Sequence, residues 1–353
     1  MVGESYFRAG SLVEVLPKAH ILATLDENGA LEGMPFMPEM LQFCGRQFRV
    51  AQVAHKSCDT IHYSGIRRMR NAVHLEGLRC DGSAHGGCQA ACLLFWKDAW
   101  LKPVSDPDGS NLSKNPISAG ITEGELDRAV VRGESSSKEP VYRCQVTEIL
   151  RASTQWRWWD PRQYWLDVRL GNTTSRHAVI VLLLAALRAL IRRTFSIRIA
   201  STNLISLYNR VARREGFHEY GDIADMSGPI QAGESTPGSD FVPKTGDWVR
   251  IKPRSEIIST LDTTCKNKGM HFDPEMVRYC DSSHRVADVV EKIINEESGR
   301  MMHFRNPCIR LEGVDCKGEY SGQRLLCPRA ITPYWRPVWL ESSSERHDAD
   351  NLG

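Results

Sequence analysis

Residues 10–82 align with residues 246–318 without a gap, and 24 of the 73 paired positions are identical. "GSLVEVLPKAHILATLD" lies over "GDWVRIKPRSEIISTLD", "GMPFMPEMLQFCG" over "GMHFDPEMVRYCD", and "LEGLRCDG" over "LEGVDCKG". Two such stretches in one chain are the signature of a duplicated domain. Beyond Gly82 the copies need a small gap, and they meet again where Trp96 and Trp100 match Trp335 and Trp339. Whatever one copy folds into, the other must fold into as well. The 353 residues therefore reduce to one small domain used twice, plus what joins the copies.

Each copy reads as β-rich. "SLVEVL" and "DWVRIK" alternate apolar and polar residues, as half-buried strands do, and Gly, Asn, Asp and Pro punctuate the chain between such runs. The opening phrase Gly-x-x-Val-x-Val/Ile-x-Pro is that of a first strand of an SH3-like barrel, a fold analogy that implies no function. The shared "PEM" predicts a short helical turn started by its proline. The expected fold is mainly β with α, two homologous small SH3-like β-barrels joined by a helical, Trp-rich middle region. The first repeat spans 8–104 and the second 244–342. Polar linkers cover 105–140 and 226–243, the mixed helical middle covers 141–225, and a disordered tail covers 343–353.

The middle region carries the apolar run Ala178–Leu187, followed by Arg188, Arg192, Arg193 and Arg198. Ten apolar residues fall short of the roughly 20 that a membrane span needs. The run fits a buried helix, or an interfacial helix over 178–198 whose arginines meet lipid headgroups, or a helix for a partner protein. "QWRWWDPRQYW" interleaves arginine with aromatics and fits a packed corner better than a nucleobase-stacking surface, since Asp160 and Asp167 lie beside it. A net charge of +2 also gives no bulk field for nucleic acid. The start of the chain lacks an apolar core behind a basic stretch, so a cytoplasmic location is the expectation. There, eleven cysteines should be reduced thiols available for metal binding, catalysis or burial.

Cys44 pairs with Cys280 and Cys80 with Cys316 across the copies, which favours structural roles for those positions. At the same offset Cys58 falls on Ile294, His85 on Ser321 and Cys88 on Arg324, and Cys92 is matched to Cys327 across a one-residue gap. The first repeat thus concentrates soft ligands. Cys80, His85, Cys88 and Cys92, with Cys58 from an earlier segment, are the candidate metal ligands. Four thiolate or imidazole ligands close a zinc site, and four thiolates hold an iron–sulfur cluster. A reactive thiol is the competing reading, with His85 beside Cys88, or His55 and Lys56 beside Cys58, lowering a thiol pKa. Glu39 and Glu275, and Glu76 and Glu312, recur in both copies; they fit acid–base residues, or, as the favoured reading, structural residues that accept hydrogen bonds from neighbouring turns. No phosphate-binding loop, dinucleotide fingerprint, HExxH or GxSxG occurs.

At "VHLEGLRCDGSAHGGCQAACLLFWKDAWL" and "CPRAITPYWRPVWLE" the chain resembles a family of uncharacterised bacterial proteins with a duplicated β domain. The resemblance implies a bacterial, cytoplasmic setting and carries over no catalytic residue. Three functions follow. The first is a metal-binding accessory protein or enzyme of a biosynthetic pathway, acting on a small-molecule substrate or with a partner protein. The second is a non-catalytic scaffold using tandem barrels. The third is a peripheral membrane-associated protein.

Overall fold

The computed structural model describes residues 5–104, 120–132, 139–194 and 198–343. Most of the expected 105–140 linker and the 343–353 tail lie outside the described residues. The chain is mixed α/β and divides into two compact units. Unit 1 holds residues up to 175 together with 292–303 and 326–330, and unit 2 holds the rest.

In unit 1, strands β1 (Leu12–Val15), β2 (Gln47–Val53), β3 (Ala72–Leu75), β4 (Trp96–Lys97) and β5 (Leu101–Pro103) form one sheet in the order β4-β3-β2-β1-β5. β4 and β5 lie on opposite edges, yet a single 3₁₀ turn, Asp98–Trp100, joins them. A sheet whose two edges are one turn apart must curl, and the result is a nearly closed, barrel-like sheet. Val13, Val15, Val50, Val53, Val73 and Leu75 line its inside and are almost wholly buried. Phe36 packs edge-on against Trp96 and Trp100, with centroids 6.1 and 5.1 Å apart. The buried Trp100 indole N–H donates to Thr24 Oγ1 at 3.1 Å.

In unit 2, strands β6 (Trp248–Ile251), β7 (Ser283–Ile294), β8 (Met301–Leu311), β9 (Tyr334–Trp335) and β10 (Leu340–Ser342) form a sheet in the order β9-β8-β7-β6-β10. Its last residues on β7 and first on β8 belong to unit 1. The strand order is that of the first sheet, and the 3₁₀ turn Pro337–Trp339 joins its edges. Phe272 meets Trp335 and Trp339 at 6.2 and 5.5 Å, and the Trp339 indole donates to Thr260 at 2.9 Å.

The described part of the expected linker contains the helix Glu123–Ala129, capped by Thr122 and Glu125 in a reciprocal pair. In the middle region α1 (Pro161–Arg169) starts on Asp160, whose carboxylate accepts the Arg162 backbone N–H. Trp156 is buried, whereas Trp158, Trp159 and Trp165 are exposed, so only part of the tryptophan-rich stretch packs as a corner. Next come α2 (Ser175–Thr194) and α3 (Arg198–Glu215). Ala178, Val181, Leu184, Leu187 and Ile191 form the buried stripe of α2. Arg188 is turned inward rather than toward solvent. It donates to the Tyr208 hydroxyl at 3.2 Å and to the Glu319 carbonyl at 2.9 Å. No helix among the described residues is long and apolar enough to cross a membrane.

Candidate metal centre

Glu39, Cys80 and His85 come together in unit 1, each offering one ligand atom within 4.8 Å of the others. Glu39 sits at the start of the 3₁₀ turn Pro38–Phe43, where Pro38 fixes the backbone entry. Cys80 follows an antiparallel bridge between Arg79 and Leu93. His85 is carried by a tight turn in which the Gly82 carbonyl accepts the N–H groups of His85 (3.1 Å) and Gly87 (2.9 Å). Gly82 has φ +73°, and a Cβ there would lie 2.1 Å from the Cys88 carbonyl oxygen, so only glycine permits this turn. The turn folds the imidazole back over Cys80.

The Cys80 Sγ lies 3.4 Å from Glu39 Oε1 and 3.4 Å from His85 Nε2. His85 Nδ1 lies 3.7 Å from Glu39 Oε1. Glu39 Oε2 and His85 Nδ1 are buried without a hydrogen-bond partner. Burial pushes the Glu39 carboxyl up to about 7, the Cys80 thiol far above its ordinary value, and the His85 imidazole down to about 4. Near neutral pH the cluster therefore holds a neutral imidazole, a thiol and a carboxyl close to its midpoint. A metal ion would displace the protons on the last two. Zn–S bonds of about 2.3 Å and Zn–N or Zn–O bonds of about 2.0–2.2 Å place tetrahedral ligand atoms roughly 3.5 Å apart. The Cys80 Sγ–Glu39 Oε1 and Cys80 Sγ–His85 Nε2 separations fit that spacing, whereas the 3.7 Å contact to Glu39 is made by the other ring nitrogen, and one ion takes only one of the two.

The other candidate ligands fall outside that three-residue group. The Cys58 backbone N–H donates to the Cys327 sulfur at 3.1 Å, and the Ile294 N–H donates to the Cys88 sulfur at 3.3 Å. Cys58 and Ile294 are matched positions in the alignment, so the two N–H···S contacts are reciprocal. Cys92 lies across from Cys80, whose N–H donates to the Cys92 carbonyl at 2.8 Å. In unit 2 the equivalent donor, Cys316 N–H, bonds to the Ile331 carbonyl at 2.8 Å. Positive φ at Gly87 and Ala91 recurs at Leu326 and Ala330. Both observations put the gap before residue 87. The match of Cys92 to Cys327 is thereby corrected: Cys88 corresponds to Cys327, and Cys92 to Ile331. The sequence alone could not place a gap inside a glycine-rich loop.

Their recurrence in the two aligned stretches predicts the same turn-accepting role for Glu39 and Glu275. Glu275 has it, with Oε1 accepting from Tyr320 N–H at 2.6 Å and Ser321 N–H at 3.2 Å. Glu39 instead faces a thiol and an imidazole. Its recurrence in both repeats hid the difference, and the neighbouring His85 was the signal that could have shown it. Two further buried cation sites appear in unit 1. Lys56, fully buried, meets Asp167 at 2.5 Å, and Arg329 donates to Glu296, Thr60 and the Cys58 carbonyl. Comparison with protein-family models, curated proteins and solved structures finds no match to this chain.

Proposed function

We propose that this is a zinc-binding protein whose ion is held by Glu39, Cys80 and His85. The observation that carries the reading is the burial together of a carboxylate, a thiol and an imidazole at zinc-like separations, with two polar atoms left unpaired. An unpaired buried polar atom costs about 1–3 kcal/mol, and a cation bound through Glu39 Oε2 or His85 Nδ1 would remove that cost for the atom it takes. The mixed O, N and S donor set favours zinc over an iron–sulfur cluster, which takes four thiolates. Cys58 and Cys88 act in this reading as sulfur acceptors for backbone N–H groups.

The two segments are further read as duplicates of one SH3-like barrel. A five-stranded order with both edges joined by a 3₁₀ turn supports it in each. A metal-dependent accessory role in a biosynthetic pathway, in a bacterial cytoplasm, extends this reading. Elemental analysis of the purified full-length chain tests the metal. About one equivalent of zinc is expected, falling at least fivefold in Cys80→Ser and His85→Ala. Wild-type protein that folds but holds less than ~0.2 equivalents would overturn it.

A further inference from the structure

Cys80 and Cys92 occupy directly facing positions on two antiparallel stretches. The Arg79–Leu93 bridge precedes them, with Leu94 N–H donating to the Leu78 carbonyl on one side and Cys80 N–H to the Cys92 carbonyl on the other. Facing residues at such a position have Cα atoms about 5.5 Å apart and side chains on one face of the pair. Disulfides span about 4.4–6.8 Å between Cα atoms. Both residues are half-buried. Burial, Glu39 and then Cys92 push the Cys80 thiol up, so Cys92 lies within electrostatic reach of Cys80. The backbone beside Cys92 is under tension, because Ala91 has φ +48°. In unit 2 the same position across from Cys316 is Ile331, so the facing thiol exists in the first segment alone.

We propose that Cys80 and Cys92 are a reversible dithiol–disulfide pair, and that forming the disulfide withdraws Cys80 from the metal. The release of metal rests on the zinc reading above, whereas the disulfide does not. The oxidant is a low-molecular-weight disulfide, RSSR. The Cys80 S–H, which points at Glu39 Oε1, gives its proton to that carboxylate as the sulfur attacks RSSR, forming a mixed disulfide and expelling one RS⁻. The Cys92 sulfur then attacks that mixed disulfide, losing its proton, forming the Cys80–Cys92 bond and expelling the other RS⁻. Two protein thiols are oxidised, RSSR is reduced to two RSH, and the two thiol protons end on the leaving groups. Once Cys80 is a disulfide sulfur it no longer offers a thiolate, and Glu39 and His85 alone hold zinc far more weakly.

The experiment exposes the full-length chain to oxidised glutathione in two states, as purified and after zinc is stripped with a chelator. Peptide mass mapping is expected to show a Cys80–Cys92 cross-link in both states. Zinc released to a chromophoric chelator should rise at least fivefold over an untreated control. Cys92→Ser should abolish both the cross-link and the oxidant-driven release. Cys92→Ala, which needs no polar partner, serves the same purpose if the serine variant misfolds. No Cys80–Cys92 cross-link in stripped wild-type protein, or one between Cys58 and Cys327 in its place, overturns the proposal. So does a cross-link that leaves zinc bound. Protein that cross-links but never holds zinc defeats the metal reading and leaves the thiol pair standing.

Discussion

Glu39 and Glu275 stand at matched positions on matched 3₁₀ turns, and their surroundings differ. Glu275 accepts two backbone N–H groups from the loop that follows Cys316. Glu39 has the Cys80 sulfur and the His85 ring in front of it, and both glutamates leave Oε2 buried and unpaired. A buried carboxylate with N–H partners is a structural brace. The same carboxylate facing other ligand atoms is a coordination corner. The lesson is that a side chain kept in both segments can hold one job in each. Loop length and one or two neighbours decide which.

The largest effect separates the two glutamates by stability. Glu275→Ala leaves the Tyr320 and Ser321 N–H groups without their acceptor and should cost about 2–4 kcal/mol in urea unfolding. Glu39→Ala in zinc-free protein removes a buried carboxyl whose Oε2 is unpaired and whose Oε1 has only the weak Cys80 S–H donor, so unfolding should change by less than ~1 kcal/mol or shift toward greater stability. Equal losses in both variants would erase the contrast.

Acid should weaken unit 1 through its buried imidazoles. Burial holds His74 and His85 down at about 4, and His55 at about 3, whereas in the unfolded chain they titrate near the ordinary value of 6.5. Below about 6.5 the unfolded chain binds protons that the folded chain refuses. Stability is therefore fully present above 6.5 and is lost as pH falls from there toward 4, at roughly 1.4 kcal/mol per unit for each such histidine. His74→Gln should flatten this slope in urea unfolding measured from pH 7 to 4.5. A variant slope as steep as the wild type would remove His74 from the account.

The smallest expected effect is a null one. Ser321→His places an imidazole in the second segment beside Glu275 and Cys316. Glu275 already accepts two backbone N–H groups, so the number of bound zinc equivalents should not rise. A second equivalent would show that the side chain alone, and not its surroundings, makes the site.

Much of the scaffold was legible in the sequence. The alignment at a fixed offset anticipated two sheets of one strand order, and the paired tryptophans reappear as edge-on partners of Phe36 and Phe272. The alternation in "SLVEVL" placed β1 because strand periodicity is a local property. Thr24 and Thr260, one of the identical pairs, both receive a tryptophan N–H. The spacing of Cys80 and His85 pointed to their shared turn, since five residues around Gly82 are close however the rest of the chain folds.

The tertiary structure decided the remainder. Glu39 reaches Cys80 across 41 residues, a contact with no local pattern to announce it. The register across from Cys80 fixed Cys92 as the facing residue and Ile331 as its counterpart, through one hydrogen bond in each segment. Cys58 and Cys88 are near the site in sequence, yet their places are set by N–H···S contacts with residues 327 and 294. Sequence by itself determined which ligands were available and what scaffold they stand on. Which of them share one corner depended on long-range pairing and burial, because those follow from how strands are aligned and not from how residues are spaced.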